Sequence, residues 1–328
     1  MSFARLVQRS FSALITASVI APVSAAVIIP GIIERPEGTR HYLMAQAGAP
    51  GQGKRPLVIV LHGHGSSAAT TFGRDRINDP AAFWLDIAER EQLLVIAPDG
   101  WKGSDNKQGW NDCRADAPTN PATDDVGFLQ ALIDKAVAEY GADPQRVYIT
   151  GGSNGGGMTY RAAIELRRAP AAIAVVSALM PAKSLCAAPS RAVPVLIAHG
   201  TGDKIAPYAG GIVSHWSLKG RGSGISAEES VRVWRQLAGL PDTPVVSRFA
   251  HRQPSDPTAA TRYVWGADPG KLQVVFLKIE QGGHNPPSIA RRLSWLAVAL
   301  VGEQNADLEF AEECWTFFKD KRSPAVAE

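Results

Sequence analysis

The chain has 328 residues, 45% of them hydrophobic and 20% charged, with a formal charge of +3. That composition belongs to a folded globular protein and excludes intrinsic disorder. So small a net charge, with no Lys/Arg run and no aromatic platform, excludes a nucleic-acid binder.

The first 25 residues differ from the rest. Arg5 and Arg9 give a positive start, Phe11 to Val23 is uncharged and mostly apolar, and Val23-Ser24-Ala25 offers small residues for cleavage. The apolar run is well short of the ~20 residues of a spanning helix. Residues 1–25 are therefore expected to be an export signal, leaving residues 26–328 as one catalytic domain, secreted or periplasmic, with no stable membrane anchor. Loss of the two arginines takes the formal charge from +3 to +1. Cys113, Cys186 and Cys314 remain; an oxidising space permits a disulfide, and the odd count leaves at least one thiol unpaired, with the pairing open.

Short apolar runs alternate with helical patterns along the mature chain. Leu57–Leu61 (LVIVL) reads as a strand followed by the glycine-rich turn HGHGSS, then a helix over Ala81–Gln92 and a second strand, Leu93–Ala97. A polar loop over residues 99–123 carries Trp101 and Trp110. Ligands bind beyond the carboxyl ends of strands in such sheets, so Trp110 is either a substrate wall or a residue packing its own loop. Helices are expected over Asp124–Tyr140, Met158–Arg168, Ala227–Leu237, Ile289–Leu300 and Leu308–Lys319, and further strands over Val147–Thr150, Ala172–Val176, Val193–Ala198 and Val274–Ile279. Residues 210–226, with GRGSG, read as a mobile surface loop. The pattern predicts a doubly wound, mostly parallel sheet with helices on both faces.

Gly151-Gly152-Ser153-Asn154-Gly155 matches G-x-S-x-G and lies between a strand and a helix, where a strained turn projects a serine hydroxyl above the sheet edge. A serine hydroxyl needs a base, and the fold that uses this turn places acid and histidine after it, in that order. Of His215, His251 and His284, only His284 follows a strong strand across a Gly-Gly turn. Asp203 follows the strand before it; Asp242, Asp256 and Asp268 follow no buried strand directly. Backbone amides of Asn154 and, from the LHGHG turn, His64 are candidates for an oxyanion hole. No metal or other cofactor is expected: His62 and His64 lack a third ligand, no Cys/His spacing resembles a zinc site, and Asp105, Asp112, Asp116, Asp124 and Asp125 match no calcium loop.

With LVIVLHGHG (57–65), DDVGFLQALID (124–134), GGSNGGGMTY (151–160), HGTGDKIAPYAGG (199–211), SAEESVRVW (226–234) and EQGGH (280–284), the chain resembles the secreted esterases that include polyhydroxybutyrate depolymerases, feruloyl esterases and LpqC-type lipoprotein esterases. The resemblance implies an α/β-hydrolase fold, the triad Ser153–Asp203–His284 and an ester substrate. Two departures bear on the pocket rim: Asn285-Pro286-Pro287 follows the histidine where the family has a Thr-Trp-Pro-Gly-like turn, and Gly152 stands where Cys often precedes the serine. A serine peptidase or acyltransferase on the same scaffold, and a binding protein that keeps the fold without catalysis, are the competing expectations. Short-chain, hydroxyalkanoate-oligomer and feruloyl esters stay open as substrates.

Overall fold

A computed structural model describes residues 26–47, 54–214 and 220–324. Residues 1–25, where the export signal is expected, and His215 lie outside the described residues.

Ten strands form one sheet: β1 (Val27–Arg35), β2 (Gly38–Gln46), β3 (Arg55–Leu61), β4 (Leu94–Pro98), β5 (Ala142–Gly152), β6 (Ala172–Val176), β7 (Val195–Gly200), β8 (Val245–Arg248), β9 (Ala259–Trp265) and β10 (Val274–Glu280), in the order β1-β2-β4-β3-β5-β6-β7-β10-β9-β8. The middle six, β4 to β10 in that order, are parallel, and antiparallel strands extend both edges. Every residue of β3, β4, β6 and β7 is buried, as strands covered on both faces require. Alternation divides their side chains: Leu57, Ile59 and Leu61 join one apolar layer, Val58 and Val60 the other. The first layer is completed by helices α3 (Asp125–Tyr140), α4 (Asn154–Glu165) and α5 (Ala227–Leu237), the second by α2 (Trp84–Glu91) and α7 (Phe310–Phe318); α1 (Ala68–Thr71) and α6 (Trp295–Val301) are short. The helix α3 shows why the elements form where they do. Asp124 Oδ1 accepts from Gly127 N at 2.9 Å to cap its start, and Gly141 at φ 70° ends it in the left-handed conformation.

The structure corrects several boundaries. The expected helix Met158–Arg168 starts instead at Asn154, directly after the serine. The expected Ala81–Gln92 helix opens as a tighter turn, Pro80–Phe83, capped by Asp79. Of Ile289–Leu300 only the last part is helical. Side chains take the backbone amides that a longer helix would use: Glu309 Oε2 accepts from Ile289 N and Ala290 N, and Gln304 Oε1 from Leu293 N. The hairpins β1–β2 and β8–β9 were not expected; all of β8 is exposed, so it carries no apolar run to read. The described part of the supposedly mobile stretch 210–226 is anchored: Gly211–Ile212 pairs with Ser223–Gly224, and Arg221, 3% exposed, donates to Thr119 Oγ1 at 2.8 Å.

Candidate active site

Ser153 stands at the end of β5 with φ 52° and ψ −123°, a conformation costly for any residue with a side chain. The turn is possible only because of its glycines. A Cβ on Gly155 would fall 2.3 Å from Leu61 O and 2.5 Å from His62 O, and one on Gly151 would fall 2.5 Å from Gly155 O. Ser153 N donates to Val176 O at 3.0 Å, tying the turn to β6.

After β10, Gly282 and Gly283 carry the chain to His284, whose backbone N donates to Val301 O at 2.6 Å. A Cβ on Gly283 would lie 2.3 Å from that same carbonyl oxygen. His284 Nδ1 lies 2.8 Å from Asp203 Oδ2, and the other oxygen of Asp203 accepts from Ile205 N and Ala206 N, each at 2.9 Å. Burial pushes the Asp203 carboxyl up, but the charge and hydrogen bond of His284, with His199 and the backbone amides, outweigh it and hold the group below the ordinary carboxylate range. His199 is buried beside it, 3.5 Å from Asp203 Oδ2, donating through Nε2 to Ala206 O; burial lowers its pKa against the opposing pull of Asp203.

Ser153 and His284 line one cavity of about 340 Å³, walled by Trp84, Val176, Val301 and Phe310. The structure therefore brings Ser153, His284 and Asp203 together at the carboxyl edge of the sheet. His251 lies elsewhere, against Asp307, while Asp242 pairs with Arg235, Asp256 accepts from Thr258 N and Asp268 from Gly270 N. Among the described residues no acceptor takes the amides of Asn154 or His64, the two N–H groups proposed for an oxyanion hole. Gly63, rather than His64, lines the cavity, and a Cβ there would lie 3.6 Å from Ser153 Cβ.

Trp110 is corrected from a substrate wall to an internal clamp. It is fully buried, takes no part in lining the cavity, and donates through Nε1 to His62 O at 2.9 Å. Its backbone is held by the Asn154 side chain, which accepts from Trp110 N at 2.7 Å and donates to Trp110 O at 3.0 Å and Asp112 Oδ2 at 2.8 Å. This second role of Asn154 has no signature in the sequence. His62 is also occupied at both nitrogens: Nδ1 donates to Gly63 O at 2.7 Å and Nε2 accepts from Gly100 N at 2.9 Å. Burial pushes its pKa down to about 4. His64 faces Asp105 at 2.8 Å. The remaining loop acids take separate partners, Asp112 with Arg114, Asp116 with Ser223, Asp124 with Arg35 and Asp125 with Arg40. Cys113 and Cys186 form a disulfide across 73 residues, and Cys314 is a buried free thiol.

Residues 44–223 match the family described as Phospholipase/Carboxylesterase. A relative from Nocardia uniformis subsp. tsuyamanensis that carries the name of an esterase, NocK, is 29% identical over 76% of this chain and 71% of its own. The bifunctional acetylxylan esterase/xylanase XynS20E of Neocallimastix patriciarum is 25% identical over 71% of this chain, and the poly(3-hydroxybutyrate) depolymerase of Ralstonia pickettii 33% identical over 33% of it. The chain spans only 29% and 22% of those two proteins. Among solved structures, an acetyl xylan esterase from Aspergillus awamori superposes with a TM-score of 0.50 over 78% of this chain and 94% of that one, at 15% identity, a likeness of fold. The architecture is the α/β-hydrolase fold.

Proposed function

The chain belongs to the phospholipase/carboxylesterase family, and we propose that it is an exported serine esterase acting through Ser153, His284 and Asp203. One observation carries the reading. A strained serine at a strand–helix turn shares a cavity with a histidine whose Nδ1 is engaged by a buried carboxylate 2.8 Å away. That hydrogen bond sets the tautomer that leaves Nε2 free to accept a proton.

Ser153 Oγ attacks the ester carbonyl carbon while His284 Nε2 takes the hydroxyl proton. The tetrahedral oxyanion collapses, the C–O bond to the alcohol breaks, and the imidazolium returns the proton to the departing alkoxide oxygen. Water, deprotonated by His284, then attacks the acyl carbon; the C–Oγ bond breaks, the imidazolium returns the proton to Ser153 Oγ, and the acid leaves. Asp203 orients the imidazole and stabilises its charged form. The free amides of Asn154, at the first position of α4, and His64 donate to the oxyanion. The substrate is a small or oligomeric carboxylic ester of short-chain, hydroxyalkanoate or feruloyl type, the first two supported by the names of the acetylxylan esterase and poly(3-hydroxybutyrate) depolymerase relatives.

Export by residues 1–25 is part of the same reading. Ala26 N donates to Glu89 Oε1 at 2.8 Å, so cleavage after Ala25 would create an amino terminus beside a carboxylate. Intact mass of the exported protein tests this: a start at or near Ala26 is expected, and a retained Met1 contradicts it. Ser153→Ala tests the chemistry: kcat/KM for an activated ester falls by ~10³-fold or more with the fold intact by circular dichroism. Retention of a tenth of the activity would place the nucleophile elsewhere.

A further inference from the structure

Besides the imidazoles of His62 and His284, the titratable side chains lining the cavity of Ser153 are Asp79 and Glu309; among the described residues no Lys or Arg lines it. The partners of both carboxyls are neutral. Asp79 Oδ1 accepts from Ala81 N at 2.8 Å, and among the described residues its second oxygen has no protein donor. Glu309 is 7% exposed; Oε2 accepts from Ser288 Oγ, Ile289 N and Ala290 N, while Oε1 is buried with no donor. Burial lifts both groups above the ordinary carboxylate range, Arg291 opposing this at Asp79 from outside the lining and Glu312 adding to it at Glu309. A buried carboxyl, Glu309, and a half-buried one, Asp79, neither with an ion-pair partner among the described residues, are a persistent cost to the fold. Two aromatic residues, Trp84 and Phe310, wall the same cavity. Carboxylate oxygens together with aromatic walls are the chemistry that recognises an organic cation, and about 340 Å³ is the small end of ligand pockets.

We propose that this cavity is an ammonium site, so that the preferred esters carry a cationic ammonium group, held by Asp79 and Glu309 against Trp84 and Phe310. The proposal rests on the esterase reading of Ser153. It names these two acids as specificity residues and leaves the acyl transfer to the triad. Neutral esters of the same shape gain the apolar contacts alone, and esters ending in a carboxylate are repelled.

The test uses two isosteric pairs and the whole exported protein. In one, choline butyrate is compared with the ester in which tert-butyl replaces trimethylammonium. In the other, the same exchange is made at the end of the acyl chain of a methyl ester. In at least one pair kcat/KM for the cationic member exceeds its neutral partner by about tenfold or more. Asp79→Asn and Glu309→Gln lower that ratio towards one, the cationic ester losing more of its kcat/KM than the neutral one. The amide oxygen introduced by Asp79→Asn keeps an acceptor for Ala81 N, so this variant carries the test if the Glu309 change disturbs residues 288–290. Ratios of one or below in both pairs, or ratios that neither substitution moves, overturn the cation site and leave the esterase intact. If even the neutral esters turn over no faster than with Ser153→Ala, the esterase reading fails. The site is then judged by calorimetric titration with tetramethylammonium, whose binding must weaken in Asp79→Asn.

Discussion

Residues 99–123 and residues 281–309 both leave the carboxyl edge of the sheet beside Ser153, and they do opposite things with their polar groups. In the first, most hydrogen-bonding capacity is spent internally, Asn120 Oδ1 excepted. Trp110, Asp112, Asn154 and Arg114 satisfy one another, His62 is used at both nitrogens, and a disulfide fastens Cys113. In the second, capacity is left over: among the described residues Nε2 of His284 and Oε1 of Glu309 have no partner. A loop rich in Trp, Asp and Asn is thus a clamp, while residues 284–286, Val301 and Glu309, which flank a stretch patterned like a plain amphipathic helix, wall the cavity. Unspent polar groups that line a cavity, rather than polarity alone, mark where a ligand fits.

Substitutions on the two sides should separate activity from stability. The largest effect is expected on the cavity side. Asp203→Asn presents the wrong imidazole tautomer to Ser153 and should lower kcat by about 10⁴-fold, as in the best-studied triad, with ester affinity retained. A rate left unchanged would assign the acid elsewhere. On the clamp side, replacing Cys113 and Cys186 together by serine opens a loop of 73 residues and should cost about 4 kcal/mol in denaturant unfolding, while kcat/KM of the folded fraction holds. A fall in kcat/KM without a fall in stability would erase the contrast.

The pH dependence of stability comes next. His62 is neutral in the fold with a pKa of about 4, below its unfolded value of ~6.5, so the unfolded chain binds the extra proton between them. Stability is therefore full above about pH 6.5 and is lost as pH falls towards 4, by an amount on the order of a few kcal/mol. Thermal melts at stepped pH check this; His62→Gln should flatten that slope, and an unaltered slope would assign it to another group, with His199 the next candidate. The smallest effect is expected of Trp110→Phe. Removing the Nε1 donor to His62 O should cost about 1–2 kcal/mol with KM unchanged. A raised KM would restore Trp110 to the substrate wall.

The contrast also shows what the sequence could and could not disclose. The central parallel strands were legible because burial on both faces leaves unbroken apolar runs, as in Leu57–Leu61 and Ala172–Val176. The order Ser153, Asp203, His284 was legible because each residue follows such a run. The edge hairpins were not, since β8 is exposed throughout and no residue of β1 is fully buried. Residues 289–294 have helical periodicity but lose their amides to Glu309 and Gln304, which lie later in the chain. Trp110 was ambiguous for the same reason: its partners, His62 and Asn154, are 48 and 44 residues away. Contacts of that range belong to tertiary structure, and local pattern carries no trace of them.

The central claim is that Ser153, and no other residue, forms the covalent intermediate. Incubation with a fluorophosphonate, followed by intact mass and peptide mapping, tests it directly, because the reagent reacts only with a serine activated by its own base. The account predicts a single adduct on the peptide containing Ser153, absent in Ser153→Ala and slowed by orders of magnitude in His284→Gln. An adduct on another serine, or labelling that persists in Ser153→Ala, would contradict it.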